Sequence, residues 1–114
     1  VELSGDIIPN IIDEIPIISI AAAFAEGETV IRGAAELRVK ESDRLKAVSD
    51  GFNSLGVIHK NFEDGMHITG RSNALLIDHP IYIESHDDHR IAMSFLMAGL
   101  KCSQPIIVKD CNFH

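Results

Sequence analysis

Cysteine is scarce in this chain. Cys102 and Cys111 are the only two, nine positions apart, which is neither a disulfide framework nor a zinc-ligand spacing. Such usage suits a reducing compartment, so a cytoplasmic location is expected. Long apolar runs are missing too. The longest near-apolar stretch, Ile15 to Ala25, falls well short of the roughly 18 residues a membrane-spanning helix needs. Positive charge is in deficit. Ten Lys and Arg face seventeen Asp and Glu, a formal net charge of −7, so the domain carries no basic footprint for nucleic acid or an anionic membrane. Gly5, Gly33 and Gly70 form no phosphate-loop pattern. No stretch reads as a signal or transit peptide.

What is present is the material of one soluble α/β domain: 114 residues, 46% hydrophobic and 24% charged. The first residue is Val1 and the last is His114, so the chain is expected to be a piece of something longer. Helix and strand signals alternate. Asp6 to Pro9 reads as a short extended lead-in that Pro9 ends. Ile15 to Ala25 has no polar stripe and predicts a helix buried nearly all round, opened by Asp13-Glu14 and closed by a left-handed Gly27. Thr29-Val30-Ile31 predicts a strand. Leu45, Val48, Phe52 and Leu55 recur at helical spacing, and Gly56 closes that helix. Asp64-Gly65 between two alternating runs predicts a hairpin. Arg71-Ser72-Asn73 reads as loop. Ile81-Tyr82-Ile83 predicts a strand, Asp87-Asp88-His89-Arg90 opens a helix over Ile91 to Leu100, and Pro105 to Val108 predicts another strand.

The pattern partly repeats. Asp13, Ser19 and Ala23 stand 75 positions before Asp88, Ser94 and Ala98. Each segment is an acidic start, an apolar helix, a short turn and a β-branched strand, which favours a larger fold built from repeated α/β units.

Three places hold residues that could do chemistry. Arg38 to Arg44 packs three cations and two carboxylates into seven residues just before a helix. A helix N-terminus with Arg and Lys suits a phosphate or carboxylate. The same residues also serve as a solvated, salt-bridged helix start capped by Ser42 or Asp43. In His86-Asp87-Asp88-His89-Arg90 the ligand-type residues are adjacent and cannot all face one ion, which disfavours metal. Arg90 opposes the helix dipole there, which favours an anion partner. Asp13 reads either as a helix cap or as a general base held at a helix start. The remaining histidines, His59, His67, His79 and His114, read as surface or strand residues. If the three helices are parallel neighbours, Asp13, Lys40, Glu41, Arg44, His89 and Arg90 gather at one cationic pole that fits a small polyanion.

Ile12-Asp13-Glu14-Ile15-Pro16-Ile17, Glu36 to Leu45 with its core Arg38-Val39-Lys40-Glu41-Ser42-Asp43-Arg44, and Asp88-His89-Arg90-Ile91-Ala92-Met93-Ser94-Phe95 together resemble the EPSP synthase family, the 3-phosphoshikimate 1-carboxyvinyltransferases. Ser42 and the wording from Ile91 to Phe95 resemble its bacterial glyphosate-tolerant subgroup. The resemblance implies an α/β fold of two similar domains, each of three βαβαββ units arranged as an inside-out barrel, with residues 1–114 covering about one unit and the start of another. It implies transfer of the enolpyruvyl group of phosphoenolpyruvate to the 5-hydroxyl of shikimate-3-phosphate, without metal or organic cofactor. The partners it implies are those two substrates and the remainder of the same chain, in a monomeric enzyme. By position, it makes Asp13 a proton acceptor that contacts shikimate-3-phosphate. It puts Lys40 on the shikimate-3-phosphate side and Glu41 near phosphoenolpyruvate, both with parts in proton transfer. Arg44 and Arg90 hold phosphoenolpyruvate, and His89 lines the same region. Two alternatives stand beside it: a UDP-N-acetylglucosamine enolpyruvyl transferase-like enzyme, and a non-catalytic α/β binding module.

Overall fold

The computed structural model describes residues 1–40, 42–71, 80–101 and 106–109. Strand β1 (Glu2–Leu3) leads into helix α1 (Ile7–Ile11), a 3₁₀ turn (Ile12–Glu14) and helix α2 (Ile15–Ala23), which returns as strand β2 (Gly27–Ile31). A second 3₁₀ stretch (Ala35–Val39) precedes helix α3 (Arg44–Leu55) and the hairpin of β3 (Ile58–Phe62) and β4 (Gly65–Gly70). Strand β5 (Ile81–Glu84), helix α4 (His89–Ala98), a 3₁₀ turn (Gly99–Lys101) and strand β6 (Ile106–Lys109) follow. Among the described residues the order is therefore βαβαββ, then βαβ. Strands β1 and β2 are parallel neighbours in a sheet ordered β1-β2-β4-β3, and β5 and β6 pair in parallel in a second sheet. In both cases an apolar helix joins two parallel strands, so the repeat read in the sequence is a repeat in space.

Local chemistry accounts for most of these elements. Asp43 caps α3 by accepting the Lys46 amide at 3.0 Å, and Gly56 ends it at φ 78°, a left-handed conformation that costs glycine least. The buried side of α3, Leu45, Val48, Phe52 and Leu55, follows the predicted spacing. The hairpin turns at Glu63-Asp64, with Ile58 opposite Thr69 and Phe62 opposite Gly65. The core joins α2, α3 and α4 to the inner faces of both sheets through Ile15, Ile31, Phe52, Met66, Ile68, Ile83 and Phe95. Two glycines set helix spacing. A Cβ on Gly51 of α3 would meet the Phe95 ring of α4, and one on Gly70 of β4 would meet the carbonyl oxygens of Ala22 and Ala25.

Several expectations need correction. Residues 7–11 are helical rather than extended. Pro9 lies in the first turn, where amide groups have no helical partner to lose. Helix α2 ends at Ala23, and Gly27, at φ 109°, opens β2 instead of capping the helix. Helix α4 stops at Ala98, and Gly99 to Lys101 tighten into a 3₁₀ turn. Burial of α2 is incomplete: Ile17 and Ala21 are exposed, because α4, α3 and the sheet cover only its other sides. On α4, Met93, Leu96 and Met97 are likewise exposed. Ser72, Asn73 and Pro105 lie outside the described residues.

Candidate functional site

The site is organised around Asp88. Two consecutive residues before it, His86 and Asp87, adopt left-handed backbone at φ 55° and 57°. Such conformations are uncommon outside glycine and cluster at functional sites. The turn closes with the Asp88 amide donating to the Ser85 carbonyl at 2.9 Å. Asp88 is fully buried, and all its oxygen capacity is used. Its Oδ1 accepts the amides of Arg90 at 2.9 Å and Ile91 at 3.4 Å, which caps α4. Its Oδ2 accepts the Ser42 hydroxyl at 2.8 Å and the Arg44 Nε at 2.9 Å. Burial alone pushes this carboxyl up, but the bonds from Arg44 and Ser42 outweigh it and hold its pKa below the ordinary value.

Arg44 is the first residue of α3 and only 3% exposed. From Asp88 its guanidinium reaches across to Asp13, with Nη1 3.0 Å from Oδ1. Lys40 Nζ stands 3.7 Å from the same oxygen. Asp13, 43% exposed, lies in the 3₁₀ turn before α2 and accepts no capping bond; Glu14 occupies the cap position, also without a side-chain bond. The helix-cap role open to Asp13 in the sequence is thus not the one it fills. Arg90 sits in the first turn of α4, with Nη1 3.6 Å from Glu14 Oε1 and both side chains about half exposed. A cleft of about 400 Å³ opens beside these groups, between Asp13, His89 and Arg90 at its polar end and Ile17, Met93 and Met97 along its apolar side.

Of the residues singled out in the sequence, Asp13, Lys40, Arg44, His89 and Arg90 therefore gather at one pole. Glu41 lies outside the described residues. The expected cationic character of that pole is corrected: among the described residues, Lys40, Arg44 and Arg90 meet Asp13, Asp88 and Glu14, so three cations face three carboxylates. Arg38 points elsewhere. It donates to the carbonyls of Glu63 and Phe62 and to Asp43 Oδ2, tying the hairpin to the start of α3. Ser42 and Asp88 were missed as site residues. The signal for Asp88 was its position 75 residues after Asp13. Among the described residues, no three His, Cys, Asp or Glu side chains converge as a metal site would require.

A second cavity, about 280 Å³, is lined by Lys46, Ser49, Asp50 and Asn53 of α3 together with Arg38 and Asn61. Ser49 Oγ is 2.9 Å from His59 Nε2 and accepts from Asn61 Nδ2, while Lys46 pairs with Asp50. The bonds of Ser49 join α3 to β3, while the Lys46–Asp50 pair lies within α3.

Comparison with known proteins points one way. The family model for EPSP synthase (3-phosphoshikimate 1-carboxyvinyltransferase) matches residues 2–113. The 3-phosphoshikimate 1-carboxyvinyltransferase of Magnetococcus marinus is 44% identical over 112 residues, covering 98% of this chain and 25% of that protein. The enzyme of the same name from Geobacter sulfurreducens is 49% identical, over 96% of this chain and 25% of its own. An EPSP synthase structure from Acinetobacter baumannii superposes with a TM-score of 0.87 at 47% identity, covering 96% of this chain and 25% of that one. The chain spans about a quarter of the length of these relatives.

Proposed function

The chain belongs to the EPSP synthase family, and from that premise we propose that it forms one part of a 3-phosphoshikimate 1-carboxyvinyltransferase. The whole enzyme joins the 5-hydroxyl of shikimate-3-phosphate to C2 of phosphoenolpyruvate while C3 gains a proton. The tetrahedral adduct then loses phosphate and a C3 proton, which restores the double bond. One observation carries the reading. Residues from three separated segments, Asp13, Lys40-Arg44 and Asp88-Arg90, converge on a single ion-paired cluster beside an open cleft.

In this reading Asp13 takes the hydroxyl proton and contacts shikimate-3-phosphate, placed for both by Arg44 and Lys40. Lys40 lies on the shikimate-3-phosphate side. Glu41 serves proton transfer near phosphoenolpyruvate. Arg44 and Arg90 hold the anionic groups of phosphoenolpyruvate, with His89 lining the same end. The half-exposed link of Arg90 to Glu14, and the Asp13 end of the Arg44 link, are the ones a dianion would replace. Such chemistry runs on positioned acid, base and cationic groups.

Residues 1–114 make up about one βαβαββ unit and the start of another in one of two domains. The enzyme works as a monomer in the cytoplasm. Ser42 and the Ile91 to Phe95 segment favour the glyphosate-tolerant subgroup; among the described residues no helix is long and apolar enough to cross a membrane. The test is phosphate release by the purified full-length protein from shikimate-3-phosphate plus phosphoenolpyruvate. Turnover supports the proposal. Turnover with UDP-N-acetylglucosamine in place of shikimate-3-phosphate, or with neither, defeats it.

A further inference from the structure

The two carboxylates on Arg44 are not equivalent. Asp13 is 43% exposed and meets Arg44 through Nη1, at the cleft side. Asp88 is fully buried and meets it through Nε, at the root of the guanidinium. A bond to Nε fixes the plane of the fork, and with it the direction in which Nη1 reaches Asp13. The same carboxylate caps α4 through the amide of Arg90, so one buried group references both helix starts that carry arginines. Two adjacent left-handed residues, His86 and Asp87, bring it there. Backbone strain of that kind persists only where the surroundings require it.

We propose that Asp88, aided by the Ser42 hydroxyl, is a positioning residue that orients Arg44 for binding the phosphoenolpyruvate anion without touching substrate itself. The inference rests on the reading of Arg44 as an anion clamp and adds to it. A carboxylate is needed, not merely a cap. Asparagine would keep its carbonyl oxygen on the Arg90 and Ile91 amides and so would cap equally well. Its NH₂ would then face the Arg44 Nε–H, donor against donor. The Ser42 hydroxyl can rotate to accept from that NH₂; Arg44 cannot.

The experiment uses the full-length enzyme and reads the KM of each substrate separately. Asp88→Asn should raise the phosphoenolpyruvate KM about 10- to 100-fold, the range for losing a charge-assisted hydrogen bond, and leave that of shikimate-3-phosphate within about threefold. Ser42→Ala should produce a smaller rise, about threefold to tenfold, and Ser42→Thr, which keeps the hydroxyl, should restore the parent value. A merely structural role would move both KM values together, and that result overturns the proposal. If Asp88→Asn does not fold, the Ser42 pair decides: a phosphoenolpyruvate-selective rise in the alanine variant, rescued by threonine, supports the proposal, and no rise overturns it. Arg44→Ala separates the two levels. Impairment in Arg44→Ala beside a normal Asp88→Asn sinks the positioning role alone. A normal phosphoenolpyruvate KM in Arg44→Ala sinks the clamp, and the positioning role with it.

Discussion

Two segments of this chain follow one plan and end in different chemistry. Asp13 with α2 and β2, and Asp88 with α4 and β6, share an acidic lead, a buried serine and a buried alanine at matched offsets. The serines even behave alike. Ser19 donates to the Ile15 carbonyl at 2.8 Å and Ser94 to the Arg90 carbonyl at 2.7 Å, each one turn back. The aspartates do not. Asp88 follows a left-handed pair, caps its helix and is sealed in, whereas Asp13 sits in a 3₁₀ turn, caps nothing and stays open to solvent on one side. Arg44 joins them, taking one from each segment. A repeated unit can thus assign one copy of a residue to structure and the other to exchange with ligand, by changing only the turn that leads into the helix.

The sharpest way to break this comparison is Asp13→Asn in the full-length enzyme. Turnover should fall about 10²- to 10⁴-fold, the contribution of a general base, while the unfolding midpoint stays near that of the parent. Wild-type turnover would remove Asp13 from the mechanism and make the two aspartates alike. Next in size is Asp88→Ala, which uncaps α4 and takes from a buried arginine the more deeply buried of its two carboxylate partners among the described residues. A loss of about 3–5 kcal/mol in urea unfolding is expected. The matching Asp13→Ala should cost less, about 1 kcal/mol, because Asp13 is partly exposed and Arg44 keeps its bond to Asp88.

The helix seats give a finer contrast. Gly70→Ala drives a methyl group into the carbonyls of Ala22 and Ala25 beneath α2, where backbone must move. Gly51→Ala presses only on the Phe95 ring of α4, which can tilt. Both should destabilise within about 1–3 kcal/mol, with Gly70→Ala the costlier; the reverse order in denaturant melts would contradict the packing described.

Acid gives the smallest signal. The Asp88 pKa lies below its unfolded value, so its stabilising contribution is complete above about pH 4 and is lost as pH falls through the folded value. Stability of the parent should therefore decline more steeply below pH 4 than that of Asp88→Asn, which has no proton to take up there. Parallel acid limbs would show that Asp88 binds its proton equally well folded and unfolded.

Where local chemistry decides structure, the residues announced it. The spacing of Leu45, Val48, Phe52 and Leu55 and the closing Gly56 led to α3, and the Asp64-Gly65 signal led to the hairpin, although its loop residues are Glu63 and Asp64 and Gly65 already pairs in β4. Helix α1 stayed hidden because Pro9 reads as a breaker, and only its place in the first turn makes it harmless. The two residues of β1 carry no period at all; their pairing with Val30 and Ile31 makes them a strand. In the site, residue type and position before helices marked Asp13, Lys40, Arg44, His89 and Arg90. The pairing of Arg44 with Asp88 spans 44 residues and could not be seen from either segment. A capping role for Asp88 was sufficient by itself, so nothing in the motif asked what its second oxygen does.

The two sheets should also differ in amide hydrogen exchange. Strands β2 and β4 lie between neighbours on both sides, so successive N–H groups along them are engaged alternately left and right. Strands β5 and β6 have only each other among the described residues. Along β5, every second amide points at β6 and the alternate ones do not. Deuterium uptake should then be slow throughout β4, whereas along β5 the ladder with β6 slows the amides that point at it.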